Sequence, residues 1–83
     1  MQYYTYILKS NKDNSYYIGY TQNIVKRIRD HNKGLSKYTK LRRPYILVFK
    51  NEFKVRREAI KYERYLKSLK KRAYLEKIIN SSN

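Results

Sequence analysis

The sequence predicts an α+β domain of order ββαβαα, a three-stranded antiparallel sheet flanked by helices. Three observations carry this reading. Two aromatic and β-branched runs, 3–8 and 16–21, are separated by a polar septet. A third apolar run follows Pro44, and apolar positions recur at three- and four-residue spacing after residue 23 and again after residue 54. With 83 residues there is room for one domain, 1–83, and no repeat or linker interrupts it.

Each element has a local reason. Tyr3-Tyr4-Thr5-Tyr6-Ile7-Leu8 reads as a strand, Lys9 to Ser15 as a turn, and Tyr16-Tyr17-Ile18-Gly19-Tyr20-Thr21 as its hairpin partner. Gly19 inside that second strand marks a bulge or a close backbone approach. Asn23 is a suitable N-cap and Gly34 a suitable left-handed stop, which bounds a helix of at most eleven residues. Its inward stripe is Ile24, Arg27, Ile28 and His31, so a guanidinium and an imidazole stand on the face due for burial. Burial rules are usually broken in this way where a site is built, although long arginine stems also cover apolar surface. Residues 33–43 read as an exposed basic loop. Tyr45-Ile46-Leu47-Val48-Phe49 suits the best-buried strand of the sheet. Val55, Ala59, Tyr62, Leu66 and Leu69 then stripe an amphipathic helix, and Ser68 is placed to cap a last helix from Leu69 to about Ile79, leaving a frayed tail at 80–83.

Composition narrows the chemistry. Lys and Arg number 21 against 6 Asp and Glu, a formal net charge of +15. A surplus of that size favours a polyanionic partner, and the interleaved aromatics favour nucleic acid over an anionic membrane. No cysteine and one histidine exclude disulfides, thiolate catalysis and zinc sites of the usual ligand sets. The longest apolar run is far short of the roughly 18 residues that span a bilayer, and the N-terminus does not read as a signal peptide, so a cytoplasmic protein without membrane attachment is expected. A chain this short buries only about 60% of its unfolded surface, which implies a thin stability margin.

The spacing of Tyr4-Thr5-Tyr6, Tyr17-Ile18-Gly19-Tyr20-Thr21, Arg27 and His31 resembles the signature of the GIY-YIG nucleases. The resemblance continues through Arg43-Pro44 and through Ala59 with Tyr62-Glu63, so that it covers about residues 3–66, and is nearest to small stand-alone bacterial members and to the structure-specific and excision-repair endonucleases. The YIG half is intact, whereas Tyr4-Thr5 replace Gly-Ile in the other half. Tyr20 stands where repair nucleases tend to have a lysine, and the polar residue some branches add beyond the metal glutamate has no counterpart. The resemblance implies a three-stranded antiparallel sheet, cleavage of DNA phosphodiester bonds, and one divalent ion, Mg²⁺ or Mn²⁺, held by a single glutamate. That glutamate is Glu63. Helical periodicity does not separate it from Glu58; the Ala-x-x-aromatic-Glu pattern does.

In that chemistry Tyr17 would be the general base, although a free tyrosine titrates near 10 and needs neighbouring cations to favour phenolate. Tyr6 would join the same water network, Arg27 would present paired donors to the scissile phosphate, and His31 would relay the proton or hold the nucleophilic water. Gly19 would let the backbone be approached closely. Lys33, Lys37, Lys40, Arg42, Arg43, Arg64 and Lys67 are candidate contacts to the DNA backbone; about five neutralised phosphates would give a log–log salt slope near −4.5. Taken singly, each residue has an ordinary structural reading: tyrosines at a core edge, a solvated arginine, a satisfied histidine, and Glu63 pairing with Lys67 one turn on. A non-catalytic nucleic-acid-binding module on the same fold would show the same charge, as would a ribosome-associated basic protein, which leaves the tyrosine and glutamate spacing unexplained. No base-reading module is present, so DNA shape or a partner protein is the expected source of selectivity.

Overall fold

The computed structural model describes residues 2–37 and 39–81, so Met1, Tyr38 of the basic loop, and Ser82 and Asn83 of the expected tail lie outside the described residues. The chain runs β1 (Tyr3–Ser10), β2 (Tyr16–Thr21), α1 (Ile24–Asn32), a 3₁₀ turn (Lys40–Arg42), β3 (Tyr45–Phe53), α2 (Arg56–Ser68) and α3 (Arg72–Ser81). The predicted order ββαβαα and the antiparallel sheet are both present, with strand order β2-β1-β3.

That order makes β1 the central strand. Thr5, Tyr6, Ile7 and Leu8 are all fully buried, because β1 is covered on both faces. Tyr6 and Leu8 join Tyr45 under α1, against Ile24 and Ile28; Ile7 joins Phe49, Leu66, Leu75 and Ile79 under α2 and α3. Burying each such side chain contributes roughly 1.5–3 kcal/mol. The best-buried strand is therefore β1 and not β3. As an edge strand β3 leaves Ile46 exposed and continues past the apolar run through the polar Lys50, Asn51 and Glu52, which an edge tolerates. Its apolar run is nonetheless near-continuous for a reason. The register shifts between Ile7↔Phe49 and Leu8↔Leu47, so that Leu47 packs under α1 while the next two residues, Val48 and Phe49, both pack under α2 and α3.

Helix α1 begins and ends as its sequence dictates. The Asn23 side chain accepts from Lys26 N at 3.0 Å. At the other end Gly34, at φ +80°, donates to His31 O, and Leu35 N reaches back to Asp30 O, the paired bonds of a Schellman stop. The last helix departs from expectation. Ser68 ends α2, its hydroxyl donating to Tyr65 O at 2.6 Å, so it does not cap α3, which starts three residues beyond Leu69 and runs to Ser81. Val55 likewise stands outside the helical stripe as the exposed residue preceding α2.

Candidate active site

Tyr6 lies at the centre of a hydrogen-bonded chain. It pairs with Gly19 across β1 and β2, and its ring lies directly over that glycine: a Cβ there would stand 2.6 Å from the Tyr6 hydroxyl. The ring can therefore cross β2 and deliver its hydroxyl to α1. There the oxygen accepts from Arg27 Nε at 3.2 Å and meets His31 Nε2 at 3.1 Å. His31 Nδ1 lies 2.8 Å from Thr39 Oγ1. Arg27 can only donate, so of the two partners of the Tyr6 hydroxyl His31 Nε2 is the one able to accept its proton; the remaining ring proton is then assigned to Nδ1 and donated to Thr39. Burial holds the His31 imidazole below its ordinary pKa, with the Arg27 charge acting the same way, which suits this neutral tautomer.

Tyr17 completes the aromatic part of the site. Its ring centroid is 4.8 Å from that of His31 and 6.4 Å from that of Tyr6. The two phenols differ in setting: Tyr6 is fully buried, whereas Tyr17 is half-buried. Burial pushes the Tyr6 hydroxyl up to about 12, against the lowering effect of Arg27 and with Tyr17 and Glu63 raising it further. The exposed Arg27 guanidinium is held in its charged form first by its hydrogen bond to Tyr6, with Tyr17 contributing.

Glu63 approaches from α2, on the other side of the sheet from α1. Its carboxylate is near enough for its charge to act on the Tyr6 hydroxyl. The side chain is 15% exposed and lies 3.4 Å from Lys67 Nζ, so the i,i+4 pair read from the sequence is formed. Arg56, on the basic surface of α2, sits over the Tyr20 ring at 6.0 Å. With Arg27 it borders an open basin of about 430 Å³ at the end of β2. A cation thus stands beside Tyr20.

The basic loop is placed less uniformly. Lys33, Lys37, Lys40, Arg42 and Arg43 are all exposed, as are Arg64 and Lys67 on α2. Three of these already have partners: Arg42 Nε lies 3.3 Å from Asp13 in the hairpin turn, the Arg43 guanidinium folds over Gly34 and donates to Lys40 O, and Lys67 pairs with Glu63. Four polar residues that sequence reasoning passed over hold the frame. Thr39 supports His31. The Asn32 side chain both donates to Tyr45 O and accepts from Tyr45 N, joining the end of α1 to β3. Ser10 accepts from Lys12 N and Asp13 N and donates to Arg42 O, tying the hairpin turn to the 3₁₀ turn. Thr5 donates to Ala59 O at 2.7 Å, fastening α2 to the sheet.

With this geometry in view, residues 2–78 match the family model described as the GIY-YIG catalytic domain. The chain belongs to the GIY-YIG family. This is a family of nucleases acting on nucleic acid, and its members generally use a divalent metal. The chain is 46% identical over 83 residues to the UPF0213 protein YazA of Bacillus subtilis, covering 95% of this chain and 83% of that protein. It is 44% identical over 78 residues to the UPF0213 protein SH2523 of Staphylococcus haemolyticus, covering 93% and 94% respectively. The solution NMR structure of the UPF0213 protein BH0048 from Bacillus halodurans is similar at a TM-score of 0.62 and 37% identity, over 96% of this chain and 84% of that one. This GIY-YIG chain is thus similar to small bacterial proteins along most of its length and most of theirs. Among its described residues no helix is long and apolar enough to cross a membrane.

Proposed function

We propose that this protein is a divalent-metal-dependent endonuclease that hydrolyses DNA phosphodiester bonds, selecting its substrate by DNA shape or through a partner protein. The observation that carries the reading is the grouping of Tyr6, Tyr17, Arg27 and His31 through direct contacts, with Glu63 one turn beyond Ala59 on the helix that Thr5 fastens to the same strand.

The donor set fits a magnesium-like ion. Among the described residues no group of three or more His, Cys, Asp or Glu could hold a metal, so Glu63 would be the single protein ligand. One hard oxygen ligand suits Mg²⁺ or Mn²⁺, which keep most of their waters and take phosphate oxygens. When bound, such an ion supplies positive charge beside the phosphoryl oxygens and lowers the pKa of a nearby water.

The chain's own residues divide the remaining work. Tyr6, pushed up to about 12, stays protonated at neutral pH and acts as a fixed hydrogen-bonding group, not as a base. Tyr17, half-buried beside the Arg27 charge, would in its phenolate form take the proton of the attacking water as the water oxygen bonds to phosphorus and the P–O bond to the leaving oxygen breaks. Arg27 meets the charge that builds on the phosphoryl oxygens. His31 is 1% exposed, and its ring nitrogens meet Tyr6 and Thr39; from there it orients Tyr6 and would relay a proton along that hydrogen-bonded chain.

The test uses flapped, nicked and supercoiled DNA with Mg²⁺ or Mn²⁺. Tyr17→Phe and Glu63→Gln are each expected to lower cutting by about 10²- to 10⁴-fold with DNA binding retained. Undiminished cutting by either variant overturns the assignment, and binding by the wild type without cutting any substrate makes the protein a non-catalytic nucleic-acid-binding module.

A further inference from the structure

On the side of α2 away from Glu63 lies an aromatic groove that the nuclease reading does not use. Tyr62 packs against Phe49 and Phe53, with centroids at 6.3 and 5.7 Å, and is stacked on Tyr65 at 5.8 Å with 26° between the planes. Core packing explains Tyr62 and stops there. Tyr65 is 51% exposed, and Tyr74 of α3 is 52% exposed. Tyr65 joins two hollows: one of about 610 Å³ along Phe53 and Tyr62, rimmed by Arg57 and Lys61, and one of about 320 Å³ shared with Tyr74 and Lys77. Single exposed aromatics need no explanation, but a contiguous row of rings rimmed by cations does.

Charge decides what fits. A second copy of this chain would bring +15 against +15. Of the charged groups on the two hollows only Glu58 is negative. Flat, half-exposed rings between cations are what unpaired bases stack on while the backbone phosphates meet lysine and arginine. The cations also lead back to the active site. Arg56 borders both the basin beside Arg27 and a hollow on the outer surface of α2; Arg57 and Lys61 border both that hollow and the aromatic groove.

We propose that the groove built on Phe53, Tyr62, Tyr65 and Tyr74 is a stacking platform for unpaired nucleotides, holding a single-stranded extension of the DNA whose scissile phosphate lies at Arg27. Its place relative to the cut rests on the nuclease reading; the stacking itself does not.

Binding is measured without metal by fluorescence anisotropy, using a labelled thymidine oligonucleotide of about 12 residues and a duplex of the same length. Tyr65 is half-exposed, so its variants keep the fold. Tyr65→Ala is expected to weaken single-strand binding by about 5- to 150-fold, while duplex affinity stays within about twofold and the salt slope is unchanged. Tyr65→Phe retains the ring and the affinity, and Tyr74→Ala, on a different helix, reproduces the single-strand loss. Equal losses on single strand and duplex, or no loss on either, overturn the platform. So does a wild-type dimer that Tyr65→Ala disperses, which would make the occupant a second copy. Flap cutting that persists in Tyr65→Ala with unaltered single-strand binding removes the platform and leaves the nuclease. Ring-dependent binding with no cutting by the wild type removes the nuclease and leaves the platform.

Discussion

Replacing Gly19 by alanine tests the link between the hairpin and the site with one methyl group. The added Cβ would stand 2.6 Å from Tyr6 Oη, 2.9 Å from Tyr6 Cζ and 3.2 Å from Tyr17 Cε2. Ordinary contact begins at roughly 3.5 Å, so the Tyr6 ring must retreat by nearly 1 Å. The end of a free side chain would make that movement at little cost. Tyr6 is not free: it is fully buried, and its hydroxyl is fixed between Arg27 Nε and His31 Nε2. Overpacking of this kind costs about 1–3 kcal/mol, which for a domain of this size lowers the Tm by about 4 to 24 °C. A displacement near 1 Å at a positioning group costs about 10²-fold in rate. Gly19→Ala should therefore unfold earlier and cut about 100-fold more slowly, with DNA affinity little changed because the cations of the 33–43 loop and of α2 are untouched. Thermal unfolding and single-turnover cleavage on the same preparation read both quantities. An alanine variant with wild-type Tm and cutting within about twofold of wild type would show that the Tyr6 ring is loosely held, and the geometric case for its role would fail.

The support behind Tyr6 is open to similar tests. Thr39→Val leaves the buried His31 Nδ1–H without an acceptor and should cost about 1–3 kcal/mol by denaturant titration, with Thr39→Ser restoring most of it. His31 gives a pH signature. Its folded pKa lies below the unfolded value of 6.5, so its contribution to stability is fully present above about pH 6.5 and is lost as pH falls through the lower folded value. The wild-type Tm should decline as pH drops from about 7 toward 5, and His31→Gln should flatten that decline; Asp13 and Asp30, whose carboxyls are held below the usual range by hydrogen bonds to Ser15 and Lys26 respectively, act only below about pH 4. For the backbone contacts, neutralising Lys40 or Arg64 should each reduce the magnitude of the log–log salt slope of DNA binding by about 0.9, and an unchanged slope would place that residue off the DNA.

Local pattern revealed as much of the fold as is locally specified. Asn23 and Gly34 bound α1 because a cap and a left-handed stop are settled within a few residues. Gly19 announced a close approach for the same reason, though nothing nearby named Tyr6 as the approaching group. Strand order was less accessible. Thr5 and Tyr6 carry polar tips that can equally face water, so the two-sided burial of β1 was masked, while the apolar run of β3 overstated the burial of an edge strand whose bulge turns successive residues to the same face. The supporting polar groups were hidden for a related reason. Thr39 is separated from His31 by 8 residues and Thr5 from Ala59 by 54, and hydrogen-bond pairing over such separations leaves no periodic trace. Arg27 and His31 did stand out, because charged and polar side chains on an inward stripe contradict the pattern around them.

The arrangement of the site follows from two adjacent residues of β1. Successive side chains of a strand point to opposite faces, so Thr5 and Tyr6 address different layers. Thr5 donates to the carbonyl of Ala59 and holds α2 one turn before Glu63. Tyr6 accepts from Arg27, donates to His31 and holds α1. The carboxylate on one helix and the guanidinium on the other are thus referenced to the same short length of central strand, where Thr5 to Leu8 are all fully buried. A small, highly charged chain has little core with which to fix distant side chains. Placing both anchors on neighbouring, fully buried residues of the central strand refers the two helices to one point of the sheet, and Gly19 is required because one of those anchors must pass across β2 to reach its partners.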